Sequence, residues 1–308
     1  MDDPGRLEAL APVARTLFER HLERAREWFP HELIPWGQAR DFVPGQEWDP
    51  DEFPLPDAVR SALIVNLLTE DNLPYYLHAV HSMYGSDDIW GEWNRRWTAE
   101  EHRHSIVLRD WLIVTRAVDP VALERARMTQ VSTGFDGMRQ GRGAIAGLVY
   151  VTLQELATRI AHRNTGRLLG DEPGAAINAR VAADENLHFL FYRDLAAAAA
   201  ELDPSEMVKA VDLEVRSFEM PGTGIDGFGA YASAIAGAGI YDFSVHYEHI
   251  LVPVVLRAWG LDCLVGLDGE AEESRDRLMG YLERVRRVAE RQADQRAAEQ
   301  QRGLARSG

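Results

Sequence analysis

Residues 98–104 read Thr-Ala-Glu-Glu-His-Arg-His, and residues 182–188 read Ala-Ala-Asp-Glu-Asn-Leu-His. Both stretches end in Glu-x-x-His, Glu101 with His104 and Glu185 with His188. On an α-helix, positions i and i+3 share a face one turn apart, so each pair can aim a carboxylate and an imidazole at one point. Each pair also follows a solitary glutamate set in an apolar helical run, Glu70 and Glu155, at separations of 31 and 30 residues. Two helices joined by a short connection run antiparallel and bring residues about 30 apart to one height along the axis. The repeat of lone Glu, hairpin and Glu-x-x-His thus gathers four carboxylates and two imidazoles inside a four-helix bundle. That is the ligand set of a carboxylate-bridged di-iron centre.

Outward from these turns the helical period continues, and the Val, Ile and Thr alternation of strands is scarce. The chain reads as all-α, with helices over residues 7–28, 57–83, 90–115, 144–168 and 175–202. Pro30 and Pro35 stop the first helix, and residues 37–56 read as an ordered irregular loop. Pro74 lies four residues after Glu70 and lacks the N–H that would bond the Glu70 carbonyl, which predicts a kink beside that glutamate. A linker carrying Gly134, Gly137, Gly141 and Gly143 precedes residue 144, and a Gly-rich span from Pro221 to Gly239 interrupts the later helices. The organisation predicted is one domain over residues 1–280. A helical, partly flexible basic tail over residues 281–308 follows, its arginines reading as a solvated face.

The setting of the glutamates carries as much weight as their spacing. Glu155 follows Leu148, Val149, Tyr150, Val151 and Leu153, a run buried whichever way the helix turns. A carboxylate there is costly unless a cation accompanies it. Four carboxylates against two divalent ions leave the cluster neutral. A chain of this composition holds about one Glu-x-x-His by chance, so neither motif stands alone. Thr98 to Glu101 also has capping-box spacing, which would make that glutamate a helix start. His78 with His81 and His246 with His249 share one-face spacing without matching buried carboxylates, and read as surface or supporting histidines.

A net charge of −16 opposes nucleic acid as a partner, because phosphate binding needs clustered Lys and Arg. The single cysteine, Cys263, excludes an intrachain disulfide or a thiolate metal site. No stretch approaches the roughly 18 apolar residues of a bilayer span, and the acidic start is unlike a secretory signal. The expectation is a soluble, cytoplasmic protein without membrane insertion.

Thr69-Glu70-Asp71-Asn72-Leu73-Pro74, Trp97 to His104, Gln154-Glu155-Leu156-Ala157-Thr158 with His162-Arg163-Asn164-Thr165-Gly166, and Ala183 to His188 together resemble the soluble acyl-acyl carrier protein desaturases. The likeness is to the stearoyl-type plant enzymes and especially their actinobacterial relatives, and it spans most of the chain. It implies a ferritin-like di-iron bundle with additional surrounding helices, and ligands Glu70, Glu101, His104, Glu155, Glu185 and His188. Two iron ions cycle between Fe2+ and Fe3+ in such a centre, manganese being the alternative metal. The reaction implied places a cis double bond in a carrier-bound fatty acyl chain with O2 and two electrons from ferredoxin. Acyl carrier protein and ferredoxin are then partners, and the chain a homodimer.

By the same resemblance Thr158 stands beside the oxygen-binding face, although a helix threonine can equally bond back to its own carbonyl. Asp184 and Trp28 match an electron path from the surface to His104, and an Asp beside a ligating imidazole fixes its tautomer. The sequence departs from the pattern at His102, where Asn is usual, and in a shorter linker between Val118 and Ala144. An acidic carrier needs arginines to dock on, for which Arg95, Arg96 and Arg103 are candidates. Leu73, Met83, Ile106 and Leu148 are candidates for a substrate wall or for ordinary core. Two other readings stay open: a di-metal oxidase or hydroxylase acting on another substrate, and metal storage or a purely structural helical protein.

Overall fold

A computed structural model describes the backbone of residues 2–134 and 142–307, and all regular structure among them is helical. α1 (Asp3–Arg24) starts where the Asp2 carboxylate accepts the Gly5 N–H, and ends four residues short of Trp28. Trp28 therefore sits in extended chain leading to α2 (Pro30–Leu33), not on a helix end as expected. Residues 37–56 are irregular apart from short 3-10 turns, as their prolines predict.

α3 (Asp57–Glu70) and α4 (Leu73–Tyr84) replace the single kinked helix expected over residues 57–83. Pro74 lies in the first turn of α4, where its missing N–H costs nothing, so the chain breaks cleanly rather than bending. Glu70 is consequently the last residue of α3. α5 (Asp88–Thr115) runs through Thr98, whose hydroxyl donates back to the Asn94 carbonyl, so the capping-box reading fails.

The glycine linker also needs correction. Residues 120–133 form α6 (Pro120–Thr133), capped by Asp119, while Gly137 and Gly141 lie outside the described residues. α7 (Ala144–Leu168) and α8 (Glu172–Leu202) form the central hairpin. A Cβ on Gly166 would sit 2.9 Å from Asn178 Cβ, and one on Gly174 2.6 Å from the Trp111 ring. Only glycine permits those approaches, of α7 to α8 and of α8 to α5.

α7 is buried almost all round, and each Leu or Val so buried contributes roughly 1.5–3 kcal/mol. That offsets the cost of seating Glu155 in the same turns. α3, α5, α7 and α8 make the four-helix core, with α1 packed across α8 and α4 across α5. α9 (Pro204–Arg216) and α10 (Phe228–Gly237) follow, the latter a ten-residue helix inside the Gly-rich span and packed on α3. α11 (Phe243–His246) continues into a π-helical stretch, Tyr247–Ala258, that contains Pro253. α12 (Gly269–Ser307) passes unbroken through residues 280 and 281. Leu282, Val285 and Ala289 are buried there, while Arg286 and Arg287 pair with Glu283 within their own helix.

Candidate metal centre

Glu70 closes α3, Glu101 and His104 lie mid-α5, Glu155 mid-α7, and Glu185 and His188 mid-α8. The six side chains converge, and none is more than 6 % exposed. They fall into two groups able to hold a metal ion, Glu70, Glu101, His104 and Glu185, and Glu101, Glu155, Glu185 and His188.

Glu101 spans the two. Its Oε2 lies 3.2 Å from His104 Nδ1 and its Oε1 2.8 Å from His188 Nδ1. Glu185 repeats the span, with Oε1 and Oε2 each 3.7 Å from one of those nitrogens. Glu70 Oε2 approaches only His104, at 3.7 Å, and Glu155 Oε2 only His188, at 3.6 Å. Two carboxylates thus face both imidazoles and one more faces each.

Whether these residues suit a metal pair is tested by their unmet bonding. His104 Nδ1, His188 Nδ1, Glu101 Oε1, Glu155 Oε2 and Glu185 Oε2 are buried without a hydrogen bond. Each such atom costs about 1–3 kcal/mol unless something else satisfies it. Oxygen and imidazole nitrogen aimed at common points suit divalent iron or manganese.

Protons show the same demand. Burial alone would lower both imidazoles, yet Glu101 and the neighbouring carboxylates raise His104 and His188 well above the ordinary value. Burial, reinforced by the charges of Glu101 and Glu155, pushes the Glu185 carboxyl well up. Burial acts on Glu101 in the same sense, but the two imidazoles outweigh it and hold that carboxyl low. Without metal the cluster keeps cationic hydrogen where metal charge would stand.

Around this centre the residues that precede the two Glu-x-x-His turns cross over. Asp184, before Glu185, lies 3.5 Å from His104 Nε2, beyond a good hydrogen bond. Trp28 Nε1 donates to Asp184 Oδ2 at 2.8 Å, and the indole stacks on His104 at 6.4 Å between centroids. Arg103 and Arg180 also donate to Asp184.

Glu100, before Glu101, serves the opposite imidazole. Its Oε2 lies 3.0 Å from His188 Nε2 and 2.9 Å from His21 Nε2, and Arg96 Nε donates to its Oε1 at 2.6 Å. Sequence reasoning passed over Glu100 and His21. The signal was present in the matched acids at 100 and 184, each one residue ahead of its motif.

Thr158 lies beside Glu155 with its hydroxyl directed back to the Gln154 and Glu155 carbonyls, at 3.2 and 3.1 Å. It also lines a cavity of about 90 Å3 that reaches Glu70 and His162 between α3, α7 and α10. Ala62, Ala161, Phe228 and Ile235 give it an apolar wall. Leu73, Met83, Ile106 and Leu148 are not among its lining residues. Leu148 is core, and Leu73 and Ile106 face an outer groove between α4, α5 and α6. Helical periodicity alone does not show which apolar face meets a void.

The arginines proposed for docking are largely occupied, since Arg96 holds Glu100 and Arg103 holds Asp184, leaving Arg95 exposed. His78, His81 and His249 are on the surface. His246 is instead largely enclosed against Phe218 and Tyr241, and burial lowers its imidazole to about 4. No helix among the described residues is long and apolar enough to cross a membrane.

Two adjoining groups of buried carboxylates and imidazoles inside a helical bundle define a candidate dinuclear metal site, and comparison with known proteins narrows the class. The fatty acid desaturase family model matches residues 6–306, and the chain belongs to that family, a family of oxidoreductases. The chain is 41 % identical over 280 residues to the Mycobacterium tuberculosis protein named "Putative acyl-[acyl-carrier-protein] desaturase DesA1", covering 88 % of this chain and 82 % of the relative. It is 32 % identical over 287 residues to the Arabidopsis thaliana stearoyl-acyl carrier protein 9-desaturase 6, chloroplastic, covering 88 % and 72 %. The X-ray structure described as "putative acyl-ACP desaturase DesA2" from Mycobacterium tuberculosis superposes with a TM-score of 0.71 at 28 % identity, over 88 % of this chain and 99 % of that one. The ferritin-like all-helical fold expected from the sequence is the fold found.

Proposed function

We propose that this chain desaturates a fatty acyl chain carried on acyl carrier protein, using O2 and two electrons from ferredoxin at a di-iron centre held by Glu70, Glu101, His104, Glu155, Glu185 and His188. The observation that carries the reading is Glu101, whose two oxygens address both buried imidazoles. The metal pair supplies oxidising power against an unactivated methylene C–H that no side chain possesses. The chain's own residues do the rest. Ala62, Ala161, Phe228 and Ile235 enclose an apolar space that takes methylenes and sheds water, and it opens onto Glu70. Asp184, pinned by Trp28, Arg103 and Arg180, connects His104 to two arginines about a fifth exposed and is the route proposed for electrons. Thr158 shapes the wall beside the metals. The protein works as a cytoplasmic homodimer, and manganese fits the same ligands.

The test is to load the purified protein with Fe2+, supply ferredoxin, reductant, O2 and stearoyl-acyl carrier protein, and weigh the acyl product. About two irons per chain and a loss of two mass units are expected. A gain of one oxygen would instead identify a hydroxylase on the same scaffold, and absence of bound iron would remove the di-iron reading.

A further inference from the structure

The ligand set leaves one buried polar pair unexplained. His162 on α7 is 1 % exposed and Asn66 on α3 is 8 % exposed, and both line the cavity. Asn66 Nδ2 lies 3.3 Å from His162 Nδ1, and His162 Nε2 lies 3.1 Å from Glu70 Oε1. The Glu70 carboxylate only accepts, so the ring hydrogen sits on Nε2, and Nδ1 is left to accept from the Asn66 amide N–H. Asn66 thereby supports the tautomer, and Oε1 of Glu70 is taken. Oε2 is left facing the His104 side of the centre.

The other solitary glutamate is treated alike by a different donor. Trp97 Nε1 donates to Glu155 Oε1 at 3.1 Å, leaving Oε2 toward His188. Trp97 is sealed in the core, whereas His162 forms cavity wall between α3 and α7. Glu70 Oε1 therefore lies on the cavity side, from which, on the proposed function, a substrate or small ligand would reach the metals. If that oxygen also bound metal, it would fill the position facing the cavity.

We propose that His162, oriented by Asn66, is a positioning residue that withholds Glu70 Oε1 from the metal and so keeps the cavity-facing coordination position open. This rests on the reading of Glu70 as a metal ligand. The prediction concerns ligand access as well as turnover, so it is read on the protein loaded with Co2+ alone, using visible absorption and azide as a probe of the open position.

Wild type is expected to take two Co2+ per chain and to bind azide. His162→Leu removes the N–H, and azide affinity should fall about tenfold, the lower end for a lost outer partner, with the Co2+ bands shifted by the extra carboxylate oxygen. His162→Gln restores an N–H donor and should return both readouts to within about threefold of wild type. Asn66→Leu removes support for the tautomer and should fall between. Two Co2+ in wild type with unchanged azide affinity in His162→Leu would overturn the positioning role alone, as would His162→Gln behaving like His162→Leu. Failure of wild type to take Co2+ would overturn the ligand reading, and the inference with it.

Discussion

The His188 half and the His104 half of the centre grow from the same motif, yet their supports differ in tightness. Beyond His188 stand Glu100, His21 and Trp93, all buried, with a 3.0 Å contact from Glu100 to the imidazole. Trp93 stacks on Phe191 and meets both His21 and His188 edge-on. Beyond His104, Asp184 stands back at 3.5 Å and is gripped by Trp28, Arg103 and Arg180. The two arginine side chains remain about a fifth exposed, and Arg103 lies 4.7 Å over the Trp28 ring. One repeated pattern has been finished with a close carboxylate anchor on one side and a stand-off carboxylate on the other, and both reach the surface through arginine, Glu100 by way of Arg96, whose side chain is 39 % exposed.

That contrast can be broken most severely where the halves meet. Glu101→Ala removes the carboxylate that serves both imidazoles, and should empty both sites and abolish turnover, an effect beyond the roughly 100-fold of a lost outer partner. Glu155→Ala should likewise abolish turnover. Metal content and activity check both, with helical circular dichroism largely unchanged, and turnover retained in either variant would contradict the ligand assignment.

A sharper distinction comes from Glu100→Gln and Asp184→Asn. If the His188 side is the anchor, Glu100→Gln should weaken binding of one metal about 10–100-fold while Asp184→Asn weakens the other by less, read by competitive metal titration. Equal losses would erase the asymmetry. Trp28→Phe keeps the ring and removes only the N–H to Asp184. Turnover driven by ferredoxin should drop about tenfold, the lower end of what one charge-assisted hydrogen bond contributes, while a single turnover of chemically reduced protein keeps its rate. Identical losses in both assays would remove the surface route.

The mildest test is pH. His104 and His188 are raised above 6.5 in the metal-free protein, so their contribution to stability is complete below 6.5 and is lost as pH rises through the raised values. Glu185, raised above 4.5, loses its contribution in the same direction. Glu101, held below 4.5, acts oppositely, its contribution being lost only as pH falls through the lowered value. The Tm of metal-free protein should therefore decline from about pH 6 to about pH 9, and bound metal, which displaces these protons, should flatten the decline. A metal-free Tm that rises over this range would contradict the buried protonated cluster.

How much of this the sequence carried follows from the range of the forces involved. Helix type, the span of α7, and the gathering of Glu70, Glu101, His104, Glu155, Glu185 and His188 were legible, because helical period and hairpin length are local and repeat along the chain. Asp184 and Trp28 were reached by resemblance to a known family. Chain order alone could not show that Glu100 supports His188 across the bundle, that His162 takes one oxygen of Glu70, or that α10 roofs a cavity lined by Ala62 and Ala161. Those facts depend on which faces of separate helices meet. That is settled by close approaches such as Gly166 against Asn178 and by the break Pro74 places after Glu70. The sequence by itself determined which side chains can meet at one height in a bundle. Only tertiary packing decided which oxygen of each carboxylate stays free, because a hydrogen bond of about 3 Å is fixed by the neighbouring helix and not by spacing along its own.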